Sequence, residues 1–176
     1  MIDRDSFTVE EWGNIISVPA SVGALVVTAD PSGPFGLIGE FRAIMNSMKQ
    51  YVADYAAGSP LMASIQTYMT TKPSEEEEAE LKRWAEEQQE EMKANKPQTP
   101  EDLKQLIRDR TNEVLGMLRT KGATEEDVTR FKGMMYFVAE AVANASKEGG
   151  FLGFGGTRVS SAEESVLAQI KSELGI

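Results

Sequence analysis

Thr99-Pro100-Glu101-Asp102 writes a helix start in four residues. A hydroxyl stands at the N-cap, a proline at the first helical position where its missing N–H costs nothing, and two acids face the positive end of the helix dipole. The chain repeats the device. Thr8 and Glu11 have capping-box spacing, and Thr124 precedes Glu125, Glu126 and Asp127. Ser160 with Glu163, or Ser161 with Glu164, offers another box. Strand signals are nearly absent. No stretch alternates cleanly with β-branched residues, and Val26-Val27-Thr28 sits inside a longer apolar helical pattern. The expected class is all-α, a helical bundle. The pattern predicts seven helices, over about 8–30, 35–57, 60–70, 74–95, 100–120, 124–147 and 161–174. Gly58-Ser59-Pro60, Lys72-Pro73-Ser74 and Lys96-Pro97-Gln98 are the breaks, and Pro19 is expected to kink or restart the first helix.

At 176 residues, with 41% hydrophobic and 26% charged side chains, the chain 1–176 reads as a single domain with a substantial core. Its net charge of −10 argues against nucleic acid and anionic lipid, both of which select clustered Lys and Arg. Cysteine and histidine are both absent, which removes thiol nucleophiles, imidazole bases, Ser-His-Asp triads and the usual zinc ligand sets. Only oxygen ligands remain, so any metal would be a hard cation such as calcium or magnesium, and no other cofactor is expected. Acid–base chemistry would rest on carboxylates or on Tyr51, Tyr55 or Tyr68, and no feature singles one out. The expectation is that the chain is not an enzyme. Trp12 to Ala29 is uncharged but short and interrupted by Gly13, Asn14, Ser17 and Pro19, and acids precede it where a signal peptide would carry Lys or Arg. It reads as a buried helix, without a membrane span, in a cytoplasmic protein.

Two stretches stand apart. Glu75 to Met92 opens on four glutamates and carries a narrow stripe of Leu81, Trp84 and Met92. Such a helix is either a solvated outer element or an arm whose Leu81 and Trp84 dock on another subunit. The second stretch strings Phe151, Leu152 and Phe154 on a glycine-rich loop just before a helix start. It lacks the strand and the Gly-Lys-Ser/Thr of a phosphate loop. Its side chains either fold into the core, form a partner or dimer surface, or wedge into a lipid interface.

Shifting the sequence by 116 residues lays "ALVVTADPSGPFGLIG" over "EAVANASKEGGFLGFG", matching Gly33 to Gly149, Phe35 to Phe151 and Gly39 to Gly155. This suggests two related helix–loop–helix halves, 8–57 and 124–176, separated by a charged helical insertion over 58–123. The C-terminal third, "AVANASKEGGFLGFGGTRVSSAEESVLAQIKSELGI", gives a small-residue helix, a glycine loop, a Ser cap, a Glu pair and a closing amphipathic helix. In this it resembles the second half of the tellurite-resistance TerB-like helical family. The resemblance implies an all-α bundle with internal pseudo-symmetry and acidic loop residues associated with metal binding. Ser146-Lys147-Glu148 departs from the family, which places an acid there. The candidate metal set is Asp30, Glu40, Glu148, Glu163 and Glu164; the alternative assigns Glu163 and Glu164 to capping and Asp30 to a turn. The sequence thus points to a non-enzymatic scaffold, self-associating as a homodimer or binding a protein partner through Phe151, Leu152 and Phe154 or through Leu81 and Trp84. The competing reading is a calcium- or magnesium-binding regulatory module of TerB-like type.

Overall fold

The computed structural model describes residues 2–29, 34–145 and 160–176, and of residues 29 and 34–40 the backbone alone. The described residues form seven α-helices and no strand: α1 (Val9–Ala29), α2 (Pro34–Tyr55), α3 (Pro60–Thr70), α4 (Glu75–Ala94), α5 (Pro100–Thr120), α6 (Glu125–Ala145) and α7 (Ser161–Leu174). Short 3-10 turns at Arg4–Ser6 and Ala56–Gly58 precede α1 and α3. None of these helices is long and apolar enough to cross a membrane.

The caps written in the sequence form as hydrogen bonds. Thr8 Oγ1 accepts from Glu11 N while Glu11 Oε2 accepts from Thr8 N. Reciprocal boxes join Ser74 to Glu77, Thr99 to Asp102 and Ser160 to Glu163. Of the two registers open for α7, the structure adopts the one starting at Ser160. At the end of α5, Gly122 takes φ +92°, a conformation open to glycine, and lets Ala123 N donate back to Leu118 O.

The core is built on α1 and α6. α6 packs against α1, α2, α3, α5 and α7, and it buries Phe131, Met134, Met135, Val138 and Val142. Small residues set the closeness. A Cβ at Gly23 on α1 would lie 3.1 Å from Val138 and 3.2 Å from Val142. Each N- and C-terminal hairpin lays its second helix on the other's first: α2 on α6, and α7 on α1. α1 runs continuously through Pro19, so the restart offered as one alternative does not occur, and Pro19 is buried. The ring removes one backbone hydrogen bond, a cost of about 3 kcal/mol. Ile15, Val18, Val22 and Val26 lock both sides of the proline into the core, and that burial outweighs it.

α4 buries no residue fully, as a solvated outer helix should, and it packs on α1. Its stripe is used inside the chain. The Trp84 indole lies flat over Gly13, where a Cβ would stand 2.9 Å from the ring. Leu81 lines a small hollow with Phe7, Trp12 and Tyr68. Trp12 stacks on Tyr68 with centroids 4.6 Å apart, meets Phe7 edge-on at 4.9 Å, and donates from Nε1 to Arg4 O. The arm's first turn is tied down by Arg4 Nη2, which donates to Glu77 Oε1 at 2.6 Å.

Candidate functional site

α5 and α7 run side by side in the same direction without packing directly as α1 and α6 do. Long side chains bridge them at matched positions. Arg108 Nη2 donates to Glu173 Oε1 at 2.6 Å, and one turn earlier Lys104 Nζ donates to Gln169 Oε1 at 3.3 Å. The separation leaves a groove of about 170 Å³ floored by α1. Its apolar surface comes from Val22 and Leu25 on α1, Ile107 and Leu115 on α5, and Ile170 and Leu174 on α7.

The polar lining is cationic, in a chain of net charge −10. Lys104, Arg108, Arg119 and Lys132 border the groove, and among the described residues Glu173 is the only acid that lines it. Glu125, at the start of α6, takes two bonds from Arg119, at 2.8 Å from Nε and 3.2 Å from Nη2. Burial pushes the Glu173 carboxyl up, but hydrogen bonds from Arg108 and Gln169 outweigh it and hold the group below its ordinary value. Lys132 is half-buried on α6, beside Gly175 at the end of α7. It has no hydrogen-bond or ion-pair partner among the described residues. On its other side, α5 meets α1 and α4 over a polar hollow lined by Glu11, Glu91, Glu113 and Arg110, so the two flanks of α5 carry opposite charge.

The residues singled out from the sequence fall elsewhere. Asp30, Glu148, Phe151, Leu152 and Phe154 lie outside the described residues, as does the side chain of Glu40 on α2. Glu163 is 1% exposed, and its Oε2 accepts from Ser160 N at 2.8 Å and Ser160 Oγ at 2.9 Å, as the capping reading requires. Glu164 points into solvent. Among the described residues no three acids gather as a metal would need. Leu81 and Trp84 are half-buried against the N-terminal segment of their own chain. The stripe therefore has an intramolecular partner along part of its surface.

A second buried carboxylate was legible in the sequence only as a first-turn acid. Asp127 is 3% exposed and joins two helix starts. Its Oδ2 accepts from Thr124 N at 3.1 Å and Thr124 Oγ1 at 2.8 Å, closing the cap of α6. Its Oδ1 accepts from Ser59 Oγ at 2.5 Å, and Ser59 Oγ in turn accepts from Met62 N to cap α3. Burial raises its pKa, and the bonds from Ser59, Thr124 and Leu61 lower it further, to below the ordinary 3.8. Every oxygen is engaged, so this is a structural clasp. The groove cations were missed because helical spacing shows that α5 is amphipathic and leaves open which helix, if any, covers each face. The sequence matches no family model, no curated protein and no solved structure.

Proposed function

We propose that the chain is a non-enzymatic, cytoplasmic helical interaction module whose docking surface is the groove between α5 and α7. The observation that carries this reading is the concentration of Lys104, Arg108, Arg119 and Lys132 around an aliphatic floor in an acidic protein. Apolar surface supplies affinity, and the cations select what enters. The bundle beneath is a rigid support, because the α1–α6 core fixes the floor.

An anionic apolar dye, anilinonaphthalene sulfonate, tests the groove directly. One saturable site is expected, weakened about tenfold or more in R119E/K132E, the effect of losing about 1.4 kcal/mol. Arg119 is exposed and Lys132 half-buried, so the melting temperature should fall by no more than a few degrees, chiefly from setting a glutamate opposite Glu125. Absence of a saturable site, or equal binding by the double variant, would remove the reading.

A further inference from the structure

Resting on that reading, we infer that the occupant of the groove is an acidic amphipathic helix of about three turns, contributed by a partner protein. The groove's size is the first argument. At about 170 Å³ it falls below the roughly 300 Å³ at which pockets begin to enclose a small molecule. A helix laid on a groove inserts only one row of side chains, at i, i+3 or i+4 and i+7, and leaves the rest of its body outside.

Length is the second argument. The Arg108–Glu173 bridge ties α5 to the last turn of α7, and beyond it the wall opposite α5 is Leu174 of α7 and Lys132 of α6. From Arg108 to Arg119 the wall of α5 continues for about three turns, about 17 Å. Thr111, Leu115 and Arg119 follow one another along this row at four-residue steps. The occupant lies along that row with its aliphatic side chains over Leu115, Leu25 and Leu174.

Charge supplies the third. Arg119 and Lys132 flank the open stretch. Lys132 makes no direct ion pair or hydrogen bond among the described residues and feels the nearby charge of Glu125, so a carboxylate placed against it makes a direct pair and breaks none. Arg119 already meets Glu125, but that pair is solvent-exposed and exchanges readily for an incoming carboxylate. A helix with acids flanking its apolar stripe therefore gains at one cation and breaks even at the other. A basic helix meets like charge at both.

The test uses the full chain and three synthetic helices of about 16 residues: one with Leu at i, i+3, i+4 and i+7 flanked by Glu, the same stripe flanked by Lys, and the Glu peptide with its Leu positions scrambled. Displacement of bound dye is the readout, with a long-chain fatty acid as a fourth competitor. The Glu-flanked peptide should bind at least tenfold tighter than both controls, and R119E/K132E should shrink its advantage over the Lys-flanked peptide at least tenfold. Equal binding by the Glu and Lys peptides overturns the inference. So does displacement by the fatty acid alone, which leaves the groove as a binding site but removes the helix. Failure of the dye itself to bind is the separate result that removes the groove.

Discussion

At the scale of single residues, Asp127 does the most per atom. One carboxylate closes the first turn of α6 and, through Ser59, the first turn of α3. Burying it would be costly if any oxygen lacked a donor, and none does. Asp127→Asn keeps the shape but replaces one acceptor with a donor facing the Ser59 hydroxyl or Thr124 N. The expected loss is about 2–3 kcal/mol at neutral pH, read from urea unfolding. Because its folded pKa lies below 3.8, its contribution is complete above that value and disappears as pH falls through the lower, folded one. The gap between wild type and D127N should therefore close on acidification below about pH 3.8. A gap that stays constant down to pH 2 would show that the carboxylate's charge contributes nothing.

At the scale of elements, close approach between helices depends on a few missing side chains. Gly133 on α6 receives the Tyr51 hydroxyl of α2, and a Cβ there would stand 2.3 Å from Oη but 3.3 Å from the next ring atom. Gly133→Ala gains about 1 kcal/mol in helix propensity, yet it must displace the tyrosine that packs on Phe137 with centroids 5.6 Å apart. The net expectation is a loss of about 1–2 kcal/mol. Since the closest clash is with a single oxygen, Tyr51→Phe should recover much of it. Thermal melts of the two single variants and the double variant form a cycle whose coupling should be favourable by about 1 kcal/mol. Additive effects would mean that α2 and α6 part without regard to that hydroxyl.

Across the whole molecule, ion pairs join one helix to another. Glu11 meets Lys121 at 2.8 Å and Glu173 meets Arg108, both far apart in sequence, and Glu125 meets Arg119 across the short α5–α6 turn. All three carboxyls sit below their ordinary 4.5. For Glu11 and Glu173 burial pushes the pKa up and the hydrogen bonds from the cations outweigh it; for exposed Glu125 the bond from Arg119 is the main cause. Lowered folded values give stability that is present above about pH 4.5 and lost as pH falls below it. The melting temperature should hold level from pH 7 to 5 and drop below 4.5, and high salt at pH 7 should lower it only slightly, because exposed pairs are screened. A melting temperature that rises on acidification would mean that repulsion within a chain of net charge −10 outweighs these pairs.

The sequence by itself determined the class and the segmentation. Caps such as Thr99-x-x-Asp102 and Ser160-x-x-Glu163, and breaks at Pro60, Pro73 and Pro97, act over one turn, so local chemistry is enough to place them. The restart that Pro19 allowed does not occur: its local penalty is visible in the sequence, whereas the burial of Ile15, Val18 and Val22 that overrides it is not. Only the tertiary structure decided that Trp84 lies over Gly13 of its own chain, that Asp127 reaches Ser59, and that α7 stands off from α5 to leave a cationic groove. Each of these joins residues far apart in the chain, and a helical pattern gives the direction a side chain faces without naming what it meets there.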